Sequence, residues 1–242
     1  HLIGCVEGGH AMFESFPGCD AFAKDGQHAC LVLPDFFENG KARLVAEALR
    51  EAGFAMVIHN TRRGDETSGG AFSSNWRSCL DGARETYSRL ARAHDSVAVL
   101  GFSLGGALAL ILAAEYPVSS VVAVCPALKL RDPLGLRFSR QARARLTGEA
   151  IGTGDALTLM RLARHSLFAV VAPALILQTE DLGPVHSRAA KLAFSDISSR
   201  EKRLIRLTQP CRGFPGETGC DQQISAIKNH LCHGLAPKTL VN

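Results

Sequence analysis

Gly101-Phe-Ser103-Leu-Gly105 sets one serine between two glycines, directly after the apolar run Val97-Ala-Val-Leu100 and directly before an Ala/Leu-rich stretch reaching Ala114. A serine hydroxyl attacks a carbon only when it stands clear of the backbone, beside a proton acceptor and donors for the negative charge that develops. The G-x-S-x-G spacing meets the first need: a sharp strand-to-helix turn lifts Ser103 Oγ off the sheet, and the flanking glycines keep that turn free of clashes. The N–H of Leu104, at the N-terminus of the following helix, is a donor at the positive end of the helix dipole. The chemistry these residues suit is nucleophilic attack on an acyl carbon.

The elements that must hold this turn follow from hydropathy. Short continuous apolar runs read as strands buried on both faces, and they occur at 30–33, 54–58, 97–101, 121–125 and 174–177, with Arg203-Leu-Ile-Arg-Leu207 as the last strand. Between them, residues 41–52 carry Leu44, Val45, Ala48 and Leu49 on one helical stripe closed by Gly53, and 76–93 reads as a second helix. The tail 221–232 reads as a helix that packs Ile224, Ile227 and Leu231. Residues 1–29 fit one or two edge strands, and 60–74 form a polar, glycine-rich loop. Strands alternating with helices predict a mostly parallel central sheet flanked by helices on both faces. The rhythm breaks at 129–168, which reads as a small inserted cap. Its Arg131, Arg137, Arg140, Arg143 and Arg145 suit a solvated helix face or a contact with an anionic surface or substrate. Residues 1–242 otherwise read as a single domain.

Composition narrows the function classes. With 242 residues the chain can bury a substantial core, and 46% hydrophobic against 21% charged residues is ordinary for a globular protein. A net charge of +4 is too mild to argue for nucleic acid. No run reaches the length of a membrane span and no secretory leader pattern opens the chain, so an integral membrane segment is not expected. There are eight cysteines and no C-x-x-C pair, and Cys30, Cys79 and Cys125 sit in apolar patterns. Buried free thiols and a reducing, cytoplasmic setting are therefore expected. Cys211 and Cys220, bracketing a Gly/Pro-rich loop, are the exception most suited to a bridge. No His, Cys and carboxylate spacing suggests a metal site, and no cofactor is expected.

The segments Leu44-Val-Ala-Glu-Ala-Leu-Arg-Glu-Ala-Gly-Phe54, the Ser103 turn and Pro173-Ala-Leu-Ile-Leu-Gln178 together resemble α/β-hydrolases of the bacterial monoacylglycerol lipase and small carboxylesterase type. The resemblance covers about residues 31–231. It implies the α/β-hydrolase fold with a small mobile cap, a Ser–His–acid triad, backbone oxyanion donors and hydrolysis of carboxylic esters. Carried over position by position, it makes Ser103 the nucleophile and Phe36 and Leu104 the oxyanion donors. It also exposes departures. The usual His-Gly-Phe segment is Pro34-Asp35-Phe36, which brings a carboxylate to a crowded spot, and a Gly-His-Gly has become Arg63-Gly64-Asp65-Glu66. The acid position falls on Leu182, with Asp181 one place early and Glu180 beside it, so a one-residue loop shift restores an acid. The base position falls on Arg212, whose guanidinium stays protonated and accepts no proton.

His59, at the carboxyl end of a strand, and His186, after the Asp181 loop, are the substitutes for the base; His230 and His233 lie late in the last helix. Three functions fit these residues. One is a serine esterase acting on small acyl esters, weakened by the loss of its usual His and Asp. Another is a non-catalytic relative that binds an acyl or carboxylate ligand, with Arg212, Asp35 and His59 facing it, or acts as an interaction module. The third is non-hydrolytic chemistry in the same pocket. The resemblance tilts the balance towards hydrolase-derived chemistry.

Overall fold

The computed structural model describes residues 19–22, 27–36, 40–59, 75–133, 139–147, 151–179, 184–209, 211 and 216–235. Seven strands form one sheet: β1 (Cys19–Phe22), β2 (His28–Leu33), β3 (Ala55–His59), β4 (Ser96–Phe102), β5 (Val121–Val124), β6 (Ala174–Thr179) and β7 (Lys202–Leu207). Their order is β1-β3-β2-β4-β5-β6-β7. Strands β2 to β7 pair in parallel, and β1 adds an antiparallel edge on β3. The helices are α1 (Gly40–Glu51), α2 (Trp76–Ala93), α3 (Leu104–Glu115), α4 (Arg140–Thr147), α5 (Thr153–Ser166), α6 (Arg188–Asp196) and α7 (Thr218–Leu235).

The period-two geometry of strands divides the core into two layers. In β4, Val97 and Val99 face a layer built with α2, α3, α5 and α6, while Ala98, Leu100 and Phe102 face one built with α1 and α7. Strands β2, β3, β5 and β6 split the same way, which is why their sequences are apolar without alternation. Helix α3 is apolar on every side, with all ten residues from Leu104 to Ala113 buried. Helix α2 is amphipathic instead and buries Cys79, Leu80, Ala83, Thr86, Tyr87 and Leu90. Its start is fixed by Asn75, whose Oδ1 accepts from Ser78 N at 2.9 Å. The outer strand β7 carries Lys202, Arg203 and Arg206, charges that discourage edge-to-edge pairing.

Within 129–168, the span expected to form a cap, α5 buries Ala156, Leu159, Met160 and Ala163 in the layer shared with α3. Helix α6 has no counterpart in the sequence reading. Its buried side chains are the alanines 189, 190 and 193, too small to give a conspicuous apolar stripe.

The chain leaves β2 towards β3 on one side and returns to β4 on the other, so the strand order reverses between β2 and β4. Loops diverge at such a reversal and leave a crevice at the carboxyl ends of the strands. Ser103, directly after β4, and Asp35 and Phe36, shortly after β2, both lie at that edge. The two segments touch, because a Cβ on Gly105 would run into the carbonyl oxygens of Leu33 and Pro34, and one on Gly101 into the Gly105 carbonyl.

Gly105→Ala forces a methyl group against fixed backbone. It is expected to lower the unfolding free energy by about 2–3 kcal/mol in urea denaturation, and a loss below about 0.5 kcal/mol would contradict the close approach.

Candidate active site

Ser103 occupies the turn between β4 and α3 with φ 53° and ψ −115°. A non-glycine residue held there carries roughly 1–3 kcal/mol of backbone strain. Three backbone bonds hold it: Ser103 N–H donates to Val124 O at 2.9 Å, and Ser103 O accepts from Ala127 N at 2.9 Å and Ala107 N at 3.2 Å. Serine at the start of a helix ordinarily caps it through the side-chain oxygen. Here the backbone conformation prevents that, and Ser103 makes no capping bond. The hydroxyl is half-buried at the crevice.

Next to it, β5 ends in a second left-handed residue, Cys125, with φ 48°. Cys125 N donates to Leu177 O at 2.8 Å, Thr179 N donates to Cys125 Sγ at 3.4 Å, and the sulfur lies 3.3 Å from Thr179 Oγ1. Ser103, Cys125 and Thr179 thus form a row across the ends of three adjacent strands. Burial raises the Cys125 thiol pKa, and the Thr179 hydrogen bonds oppose that shift without cancelling it. Lys41 lowers this pKa and Asp35 raises it, so both charges are felt at the strand ends beside Ser103. The protonated thiol is a poor nucleophile compared with a thiolate. The sequence reading missed Cys125 and Thr179, whose signal is the strand–Cys–Pro ending of β5 in register with the strand–Ser ending of β4.

Phe36 is fully buried, and the chain before it rests on the first turn of α3 through the Gly105 contact. The backbone at Leu33 and Pro34 therefore runs against the start of α3. Asp35 is half-buried in the same segment.

The candidate histidines His59, His186 and His230 bond elsewhere. His59 ends β3 and is buried against α2, where its Nδ1 lies 3.1 Å from Thr86 Oγ1. The Thr86 hydroxyl gives its own proton to Gly82 O at 2.8 Å, so His59 Nδ1 is the donor in this pair. Burial lowers the His59 pKa to about 4 and keeps the ring neutral at neutral pH. A Cβ on Gly82 would lie 3.0 Å from His59 Cε1, so the ring packs directly on the α2 backbone.

His186 Nδ1 accepts from Arg188 N at 3.0 Å, at the start of α6, and its backbone N donates to Lys129 O at 2.8 Å. His230 Nε2 lies 2.8 Å from Ser120 Oγ, which donates to Pro173 O at 3.2 Å, so His230 is the donor there. That cluster stands where β5 and β6 begin, at the sheet edge opposite Ser103. No described histidine hydrogen-bonds Ser103. Glu180, Asp181, Leu182, Arg212 and the Arg63–Glu66 segment lie outside the described residues. Among the described residues no cluster of His, Cys, Asp and Glu has the arrangement of a metal site.

A family model, Hydrolase_4 (serine aminopeptidase, S33), matches residues 38–158, half of the chain. The chain belongs to this α/β-hydrolase family. It is 26% identical over 226 residues to a thermostable monoacylglycerol lipase of Bacillus sp. (strain H-257), spanning 81% of this chain and 88% of that protein. The fold matches a structure of the metagenome-derived lipolytic enzymes LipS and LipT with a TM-score of 0.74 at 18% identity, covering 91% of this chain and 100% of that one. It also matches the monoacylglycerol lipase of Paleococcus ferrophilus with a TM-score of 0.69 at 16% identity, over 89% and 98% of the two chains. The family match ends at 158, before β6 and β7 and before the Asp181 and Arg212 positions. It contains the Ser103 turn.

His59 makes stability depend on pH in a definite direction. Its folded pKa, about 4, lies below its value of 6.5 when unperturbed, so the unfolded chain binds the proton first as pH falls. The contribution is complete above about pH 6.5 and is lost towards pH 4, by on the order of 3 kcal/mol. Denaturation across that window should show a shallower pH slope in His59→Gln than in the wild type. Equal slopes would contradict the buried neutral ring.

Proposed function

We propose that the chain is a serine carboxylic-ester hydrolase of the monoacylglycerol lipase and esterase type, working at low turnover on small acyl esters. The observation that carries this reading is the Ser103 turn: a positive-φ serine, braced by backbone bonds, that caps nothing. In the proposed reaction Ser103 Oγ attacks the ester carbonyl, and the N–H groups of Leu104 and Phe36 receive the oxyanion. The close packing of Leu33 and Pro34 on Gly105 supports that pairing of donors. Asp181 is the proposed acid, while Arg212 and Asp35 are proposed to face the substrate; His59, expected to join them, packs its ring on α2 instead. The 129–168 span is proposed to supply the cap from its arginine-rich first part, α4, since α5 is committed to the core.

Low turnover follows from the base. An arginine at position 212 cannot accept the Ser103 proton, and a site lacking one triad member retains roughly 10³–10⁴-fold acceleration over the uncatalysed reaction. Asp35 adds a negative charge near the place where an oxyanion forms, which opposes the same step. The relatives' lipolytic activity supports an acyl ester as substrate class. No described helix is long and apolar enough to cross a membrane, and a cytoplasmic location belongs to the same proposal.

The commitments of His59 to Thr86 and of His186 to the start of α6 favour a second reading, in which no base serves Ser103 and the pocket binds a carboxylate or acyl ligand. Treatment with a fluorophosphonate, followed by intact-mass measurement, separates the two. Stoichiometric labelling that Ser103→Ala abolishes is expected for the hydrolase, and an inert wild type would overturn it. Arg212→His is expected to raise p-nitrophenyl ester hydrolysis by about 10²-fold or more, the lower end of what one positioned base contributes. An unchanged rate would place the deficiency elsewhere.

A further inference from the structure

The structure joins Cys211, just after β7, to Cys220 in the first turn of α7 by a disulfide. The bridge spans nine positions and encloses the segment that contains Arg212. We propose that this disulfide is a shielded redox lock on the end of β7, one that a dithiol opens only through local unfolding at the start of α7.

Both half-cystines are almost completely removed from solvent, Cys211 at 3% exposure and Cys220 at 0%. Glu217 Oε2 lies 3.4 Å from Cys220 Sγ, so a negative charge stands beside the sulfur that an attacking thiolate must reach. Burial and like charge act together against exchange. The surrounding residues make the start of α7 the place to open. Glu217 O accepts from both Cys220 N and Asp221 N, at 2.8 and 3.0 Å, and this single turn carries Cys220. The buried thiols Cys30 and Cys79 do not compete, because burial raises them to about 12 and about 11 and leaves both protonated.

The reaction with a dithiol balances within the two partners. One reductant thiolate attacks a bridge sulfur, forming a mixed disulfide and expelling the other cysteine as a thiolate that takes a proton from solvent. The second reductant thiol then closes on the mixed disulfide and releases the second cysteine thiol. Two electrons pass to the bridge, and the reductant leaves as a cyclic disulfide. Opening removes a short loop constraint from the unfolded chain's entropy balance and unties β7 from α7.

The test uses the intact protein with dithiothreitol as the dithiol. Alkylation after denaturation without reductant should leave Cys211 and Cys220 unmodified, as read by peptide mass. Free, alkylated thiols at both positions would overturn the proposal outright. Reduction should lower the Tm by roughly 5–10 °C. The rate of thiol release should rise in low, non-denaturing urea, and Glu217→Gln should accelerate it by roughly 3–10-fold at low salt, less at high salt. Release that is immediate and indifferent to urea and to Glu217→Gln would contradict the shielding. The wild-type measurements stand alone if Cys211→Ser/Cys220→Ser fails to fold. If that variant folds, its Tm should ignore dithiothreitol. None of these readouts depends on ester hydrolysis, so they succeed or fail separately from the proposed activity.

Discussion

Ser103 keeps a backbone conformation that serine does not choose, and most of the architecture around it can be read as the means of holding it there. Its N–H and C=O are tied to Val124 and to Ala127 and Ala107, so the turn is clamped between the end of β5 and the first turn of α3. The clamp requires that strand, turn and helix pack without an intervening Cβ, which is what Gly101 and Gly105 provide. It also requires a rigid floor. That floor is the all-apolar α3, sunk in the layer shared by α2, α5 and α6, where its residues from Leu104 to Ala113 are all buried. A buried, fully packed helix transmits little slack to its first residue.

The same constraint organises the neighbourhood. Because parallel strands bring their carboxyl ends to one edge, residues that follow β2, β4, β5 and β6 meet there whatever their separation in sequence. Asp35, Ser103, Cys125 and Thr179 are neighbours for that reason. Histidines fall on either side of this logic. His59 reaches the right edge but turns into the α2 layer, because 55, 57 and 59 share one face of β3. His230 reaches the wrong edge, since α7 runs antiparallel to the strands and its late residues return to where β5 and β6 begin. The bridge between Cys211 and Cys220 sits uneasily with the reducing setting expected from the other cysteines, because such bonds persist mainly under oxidising conditions.

Much of this was legible in the residues. The turn at Ser103 could be placed to the residue because a strand signal, a G-x-S-x-G spacing and an Ala/Leu helix coincide there. The bounds read for α2, 76–93, are those of the structure, where Asn75 caps the helix and its buried stripe is strongly amphipathic. Helix α6 was not legible, because alanines fill its buried face and alanine marks no boundary between core and surface. The pairing of His59 with Thr86 was also invisible, since it depends on which face of β3 meets which turn of α2, a matter of packing. Cys125 looked like a buried strand thiol, and only its left-handed backbone sets it apart.

The strain at Ser103, held in place by its surroundings, is measured directly by Ser103→Gly. Glycine accepts positive φ without the Cβ penalty, and no capping bond is lost. Relief of roughly 1–3 kcal/mol of strain outweighs the roughly 0.4–1 kcal/mol that added freedom costs in the unfolded chain. Urea denaturation should therefore show Ser103→Gly to be more stable than the wild type by about 1 kcal/mol. A variant less stable than the wild type by that amount would mean that Ser103 rests in a conformation it prefers, and that the turn is not held against strain.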